Sequence, residues 1–273
     1  MSAVPSHTKG GTGLAGLAGH VAIVTGGGRG LGHDIARTLH TAGADVVVCG
    51  REGEVLTASA REIDPSGESV VPMVCDIRDE RAVSALVPGV LQRFGRIDAL
   101  VNNSGIAGPT SRLWESSLAE WQDTLDTNVT GTFLCCRAVL PSMIEQRSGA
   151  VVTIGSAGGK RPNSGRAAYA ASKTALIGLT RTLAVEAGPF GIRVNLVTPG
   201  AINSERFQKV IDQLAVGRGV PRAEVLREAV SGSPLGRLVE PSHVADVVAF
   251  LLGDGAASIT GEDINVSAGL VMY

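Results

Sequence analysis

Aromatic side chains are scarce: they make up 3% of the 273 residues, as 5 Phe, 2 Trp and 2 Tyr. The core must therefore come from Ala, Val, Leu and Ile, which suits helices closing on a buried sheet. No stretch approaches the roughly 18 consecutive apolar residues of a membrane span. No Lys/Arg stripe marks a nucleic-acid surface: 24 basic and 26 acidic residues are interspersed, for a net charge of −2. The 4 cysteines, Cys49, Cys75, Cys135 and Cys136, sit in apolar segments without a CxxC pair. No His stands beside them at ligand spacing, so they read as free buried thiols, with no metal site expected. The Gly-, Ala- and Ser-rich start of the chain has no apolar block of the kind a signal peptide carries. Residues 1–18 are expected to be a flexible lead-in and the protein to be cytoplasmic.

What the sequence does have is apolar mass, 44% of residues against 18% charged, which excludes wholesale disorder. Its 36 glycines show no three-residue period, which excludes collagen. Short β-branched runs alternate with longer helical stretches. The runs are His20–Thr25, Asp45–Cys49, Ser69–Cys75, Ile97–Val101, Ala150–Ile154, Ile192–Val197 and Asp263–Val266. Helical patterns follow the first run to about Ala42, then cover Asp79–Phe94, Leu118–Gln146, Arg166–Ala187 and Pro241–Leu252. Strands apolar on both faces and separated by helices predict a parallel sheet covered on both sides. Right-handed crossovers make this a doubly wound, Rossmann-type α/β fold of about seven strands. Residues 19–273 read as one domain, and the polar segment Asn203–Ser233 as an insertion over the crevice, with the character of a lid. In such a fold ligands bind beyond the carboxyl ends of the strands, so those ends are where chemistry is expected.

The first strand ends in Thr25-Gly26-Gly27-Gly28-Arg29-Gly30-Leu31-Gly32 and leads into a helix. Glycines let a backbone turn sharply against a pyrophosphate, and the helix N-terminus offers free N–H groups. The GxxxGxG spacing is weak alone; its place between strand and helix gives it weight. The second strand ends at Gly50, followed by Arg51, with no carboxylate at the tip. Arg29 and Arg51 together predict a 2′-phosphate, and therefore NADP(H), with NAD(H) left open.

Tyr169 and Lys173 are four residues apart on a predicted helix and share a face. Ser156 lies just past the end of the fifth strand. A phenol titrates near pH 10 on its own, and an adjacent ammonium brings it toward the working range. Ser156 would hold a substrate oxygen while the phenol moved its proton and a nicotinamide carried the hydride. With two tyrosines in the chain, a chance Tyr-x-x-x-Lys is rare.

These pieces resemble the short-chain dehydrogenase/reductase family over about residues 18–270. Beside the glycine turn and Ser156/Tyr169/Lys173, the matching residues are Asp76, Asn102-Asn103-Ser104-Gly105, Asn128 and Pro199-Gly200. The resemblance implies that Thr25, Gly26, Gly30, Leu31 and Gly32 shape the cofactor turn. Asp76 and Ile77 would meet the adenine, and Asn103 and Gly105 would adjoin the ribose. Tyr169 would be the general acid or base, Lys173 would bond the nicotinamide ribose, and Ser156 would orient the carbonyl. Asn128 would hold a water on a proton path to Lys173, or else plug a helix kink. Pro199, Gly200 and Ile202 would face the nicotinamide, and Ser204 would reach a cofactor phosphate where Thr is usual. Ser104 replaces the usual Ala, and Val266-Ser267-Ala268-Gly269 the usual Val-Asp-Gly-Gly.

The implied activity is interconversion of a ketone and a secondary alcohol. A 3-oxoacyl thioester and a small polyol or hydroxy acid are both open as substrates; a non-catalytic dinucleotide sensor is the alternative. Lys160, Arg161, Arg166 and Arg206 predict an anionic substrate group, against the plainer reading of surface charge. A homotetramer or homodimer is implied, with Leu118–Gln146 and Arg166–Ala187 between subunits. The small residues Ala167, Ala168, Ala171 and Ala175 would face either the partner or the chain's own sheet.

Overall fold

The computed structural model describes residues 16–161 and 163–273. Seven strands are present: β1 (Val21–Thr25), β2 (Asp45–Gly50), β3 (Val70–Val74), β4 (Ala99–Asn102), β5 (Gly149–Ile154), β6 (Ile192–Pro199) and β7 (Asp263–Val266). All pair in parallel, in the order β3-β2-β1-β4-β5-β6-β7. The sheet is doubly wound, as the alternation of elements predicts.

The helices are α1 (Gly30–Thr41), α2 (Gly53–Ile63), α3 (Glu80–Phe94), α4 (Leu118–Leu125), α5 (Gly131–Gln146), α6 (Ala167–Ala187), α7 (Glu205–Arg218), α8 (Arg222–Val230) and α9 (Pro241–Leu252). The strand period of two sorts the core into two layers. Ala22, Val24, Val46, Val48, Val101 and Val152 pack with α1, α2 and α9 through Ile35, Leu39, Leu56, Val244 and Val248. Val21, Ile23, Val47, Leu100 and Val151 pack on the other face with Val83 and Val90 of α3 and Leu134, Val139 and Met143 of α5. Each fully buried aliphatic side chain contributes about 1.5–3 kcal/mol relative to exposure, so these layers carry the fold. The cysteines Cys49, Cys75, Cys135 and Cys136 are free and buried.

Local signals place the helix ends. Asp79 caps α3 by accepting from the amides of Arg81 and Ala82, at 2.9 and 3.4 Å. Ser117 and Glu120 form a reciprocal capping box on α4. Pro241 opens α9, where its missing N–H costs nothing.

The structure departs from the sequence reading in several places. Leu17, assigned to the lead-in, is 1% exposed and its amide donates to the Ala42 carbonyl at 3.1 Å, so the packed chain starts before Gly19. Residues 1–15 of the lead-in lie outside the described residues. The helix α2 is not among the helical patterns of the sequence, since its buried face is Leu56 with only the small residues Ser59 and Ala60. The stretch Leu118–Gln146 is not one regular helix: a π-turn at Asp126–Thr130 separates α4 from α5. The segment read as an insertion folds into α7 and α8, with a small core of Ile211, Ala215 and Val225.

Register then brings the strand ends into one row. Thr25 pairs with Cys49, placing Gly26 beside Gly50. Ile154 pairs with Val197, placing Ser156 and Pro199 side by side two residues later.

Candidate active site

A crevice of about 1130 Å³ runs along these carboxyl ends. At one end lies the glycine turn. Gly32 is the tightest position: a Cβ there would stand 2.2 Å from the Gly26 carbonyl oxygen. Gly26 has φ +67, and a Cβ on it would meet Asn103 Nδ2 at 3.0 Å. Gly30, by contrast, has φ +55 and nothing within 4 Å of where its Cβ would be, so its face is open to the crevice. The backbone is thus closed underneath and bare on top, as a phosphate cradle at the start of α1 requires. Leu31 lines the crevice beside it. Thr25 does not line it: its hydroxyl is buried and accepts from the amides of Asn103 and Ser104, both at 3.0 Å. Thr25 shapes the turn from below by tying β1 to the end of β4. Asn103 completes that tie by donating to the Thr25 carbonyl at 2.9 Å.

Arg29 and Arg51 both reach the crevice at the end of β2. A carboxylate is there too. Glu52, the residue before α2, accepts from Arg29 Nη2 at 2.7 Å, so the arginine pair is not free of acid as the sequence reading had it. The sequence signal is an acid next to Arg51, but only the fold turns it toward the glycine loop. Asp76 and Ile77 line the crevice after β3. The Asp76 carboxylate is gripped by Arg78, with Nη2 to Oδ2 at 2.7 Å, which holds its pKa below the usual carboxylate range. Arg78 is itself anchored to Asp123 at 3.0 Å.

At the other end are Ser156, Tyr169 and Lys173. Ser156 leaves β5 in extended conformation and its Oγ accepts from the Gly158 amide at 3.1 Å. Its O–H is left to donate elsewhere. A Cβ on Gly158 would lie 3.3 Å from Tyr169 Cε1 and 3.4 Å from Ser156 Oγ, so ring and hydroxyl converge on this glycine. Lys173, one helical turn below Tyr169, is 6% exposed and its Nζ stands 5.9 Å from the Tyr169 ring centroid. Nζ donates to the Ile154 carbonyl at 2.8 Å, and burial pulls its pKa down to about 8. Arg166 lies over the ring, its guanidinium 4.8 Å from the centroid, and donates to Thr110 Oγ1 at 3.2 Å.

Asn128 is in the π-turn, 1% exposed, and does not line the crevice. Its Oδ1 accepts from the Ile106 amide at 2.8 Å; its Nδ2 donates to the Ile106 carbonyl and to Ser172 Oγ, each at 3.0 Å. The side chain therefore fastens the crevice wall at Ile106, a partner the sequence did not reveal. Gly105 separates this amide from the lysine: its Cβ would be 3.1 Å from Asn128 Oδ1 and 3.5 Å from Lys173 Nζ. Pro199, the last residue of β6, closes the row with Gly200, Ile202 and Ser204. Gly200 is pressed on Ser267, where a Cβ would meet Cα at 2.9 Å. Ile202 is held by a bridge to Val239. Ser204 caps α7, its Oγ accepting from the Phe207 amide at 3.3 Å, and its O–H meets no acceptor among the described residues.

The basic residues proposed for an anionic substrate behave differently from one another. Lys160 is turned inward onto Asp263 at 2.8 Å with its side chain 7% exposed, so it does not meet a substrate. Arg161 lies against Gly232, where a Cβ would be 2.7 Å from Nη1. Arg166 alone of the three stands over Tyr169. The Arg206 side chain lies outside the described ones.

A family model described as enoyl-(acyl carrier protein) reductase matches residues 26–271. The chain is 36% identical over 262 residues to the 3-oxoacyl-[acyl-carrier-protein] reductase of Synechocystis sp. PCC 6803, covering 95% of this chain and 100% of the relative. Among solved structures, a single-residue variant of actinorhodin polyketide ketoreductase with NADPH superposes with a TM-score of 0.86 at 37% identity, over 93% of this chain and 98% of that one. An NAD+-bound xylitol dehydrogenase gives the same TM-score, 0.86, at 31% identity, over 93% and 99%. With strand order, glycine turn and Ser-Tyr-Lys geometry already in hand, the likeness extends across the described chain and fixes the reaction class: an NAD(P)-dependent oxidoreductase acting on C=O and CH–OH groups. The chain belongs to the short-chain dehydrogenase/reductase family.

Proposed function

We propose that the protein reduces the 3-oxo group of an acyl thioester with NADPH, and that Tyr169 is the proton donor. The convergence of the Ser156 hydroxyl and the Tyr169 ring on Gly158, with the Lys173 ammonium beneath, carries this reading. Bound nicotinamide supplies the hydride to the carbonyl carbon. The Ser156 O–H, which meets no acceptor among the described residues, donates to the carbonyl oxygen and orients it. The Tyr169 phenol gives its proton to that oxygen as the C–O double bond becomes single. The Lys173 ammonium offsets the charge left on the phenol oxygen, and its remaining N–H groups would hold the ribose. The row from Pro199 to Ser204 would hold the nicotinamide, and the glycine turn with Leu31 would receive the pyrophosphate. Asp76 and Ile77 would hold the adenine. Arg29 and Arg51 would bind a 2′-phosphate.

Ile106, Ala107 and Ile202 line the crevice and offer apolar contact to an acyl group. The names of the ketoacyl-reducing relatives point the same way. Arg166 is the residue placed to favour an anionic group on the substrate, such as a carrier phosphate. The proposal includes a dimer or tetramer. Ala171 and Ala175 are exposed on α6, with Val185 at 77% and Phe133 of α5 at 43%, whereas Ala168 is buried. A cytoplasmic location belongs to the same reading; among the described residues no helix is long and apolar enough to cross a membrane.

The test is a panel read by NADPH absorbance: a 3-oxoacyl thioester, an enoyl thioester, xylulose and a simple ketone. The reading expects the 3-oxoacyl thioester to have the highest kcat/KM. A higher value for the enoyl thioester or the sugar would replace the substrate assignment, and NADPH binding without turnover of any ketone would favour a sensor.

A further inference from the structure

A lysine is almost never buried unless paired, and Lys160 is paired on every side. Its Nζ forms an ion pair with Asp263 Oδ2 at 2.8 Å and donates to Asn265 Oδ1 at 2.8 Å and to the Tyr273 carbonyl at 2.7 Å. The Tyr273 phenol donates back to the Lys160 carbonyl at 2.9 Å. Asp263 also accepts from the Thr198 hydroxyl, one residue before Pro199. The segment after β7 is tied in turn to the base of the α7–α8 insertion, where Ser233 Oγ and the Leu235 amide donate to the Ala268 carbonyl at 2.6 and 3.2 Å.

Lys160 is four residues beyond Ser156, and the turn between them is stiff. The Gly159 amide donates to the Ser156 carbonyl at 2.9 Å, and the amides of Lys160 and Arg161 both donate to the Ala157 carbonyl, at 3.1 and 2.7 Å. A displacement at Lys160 is therefore passed to Ser156. A buried ion pair gives little net stability over an apolar pair of equal volume, because desolvation offsets the attraction. What its directed bonds do provide is a fixed geometry.

We infer that Lys160 is a positioning residue for Ser156, clamping the turn 156–161 to β7 and Tyr273 so that the Ser156 hydroxyl keeps its place beside the Tyr169 ring. The inference rests on the orienting role given to Ser156 above. It also makes residues 263–273 a working part of the site, reaching both the insertion and the strand end at Thr198.

The test compares Lys160→Met/Asp263→Leu, which leaves no charge buried alone, with Lys160→Arg and with Tyr273→Phe. Tyr273 is 78% exposed, so its variant keeps the fold. In the folded double variant kcat for the 3-oxoacyl thioester should fall about tenfold or more, with NADPH Kd within about twofold of the parent. Tyr273→Phe should lower kcat by about two- to fivefold, and Lys160→Arg should recover most of the loss. Independently of turnover, amide hydrogen exchange at Gly158–Arg161 should speed up by about tenfold in Tyr273→Phe and in the double variant. Unchanged exchange there overturns the inference even if no substrate is found, so its failure is separable from failure of the functional reading. A kcat within about twofold of the parent in both variants, or a loss wholly explained by weaker NADPH binding, overturns it as well.

Discussion

Glu52 holds Arg29 at 2.7 Å across the mouth of the glycine turn. The guanidinium that would receive a 2′-phosphate thus starts out with a carboxylate as its partner. The phosphate must take Glu52's place, whereas a bare 2′-hydroxyl leaves the pair intact. Exposed pairs of this kind are worth about 0.2–1 kcal/mol, and about 1.4 kcal/mol is tenfold in affinity. Glu52→Gln should therefore tighten NADPH binding by about two- to fivefold and leave NADH nearly unchanged. Fluorescence titration of both cofactors checks this; an equal change for both would remove Glu52 from cofactor discrimination.

Lys173 gives a signed dependence of stability on pH. Burial lowers its pKa from 10.5 to about 8. Below pH 8 the lysine is charged in both folded and unfolded chains, and the full cost of burying the ammonium is present. Between pH 8 and 10.5 the unfolded chain binds more protons, so this group's contribution to stability rises with pH. The shift corresponds to about 3 kcal/mol. Lys173→Met removes that cost but also the bond to the Ile154 carbonyl, a loss of about 1–2 kcal/mol. Near neutral pH the variant should be about 1–2 kcal/mol more stable than the parent while losing turnover. That advantage should shrink and reverse as pH rises from 8 to 10.5. Urea unfolding across this range is the measurement; an advantage that grows with pH would contradict the account.

Asn128 satisfies both backbone groups of Ile106 with one side chain. Asn128→Asp keeps the acceptor and loses the donor, leaving the Ile106 carbonyl and Ser172 without it. Stability should drop by about 1–3 kcal/mol, and kcat should fall because the wall beside Lys173 shifts. If kcat falls with no change in unfolding free energy, Asn128 acts on the proton path rather than on the wall.

Gly32 allows no side chain, since a Cβ would stand 2.2 Å from the Gly26 carbonyl. Gly32→Ala should raise the NADPH Kd by about tenfold or more and cost about 1–3 kcal/mol of stability. Gly30→Ala has open space above it but strains the turn at φ +55, and its methyl group would stand where the phosphate is proposed to bind. Equal NADPH affinity in all three proteins would show that the pyrophosphate binds elsewhere.

Much of this was legible in the sequence because it depends on local pattern. The β-branched runs at Val21–Thr25 and Asp45–Gly50, the glycine turn and the Tyr169–Lys173 spacing each follow from residues close in the chain. What was not legible depends on distant partners. Lys160 reads as one more surface cation until β7 brings Asp263 and Asn265 beneath it. Asn128 reads as a relay or a plug until the loop at Ile106 folds onto it. The π-turn at Asp126–Thr130 leaves no mark in an apolar pattern that runs on through α5. Glu52 adjoins Arg51 in sequence, but only the direction in which α2 starts decides that it meets Arg29.

The central claim, that Tyr169 delivers the proton, is tested most directly by single-turnover oxidation of bound NADPH in Tyr169→Phe. The account predicts an NADPH Kd within about twofold of the parent and a rate lowered by about a thousandfold or more. A rate within about tenfold of the parent, with NADPH bound as tightly, would contradict it.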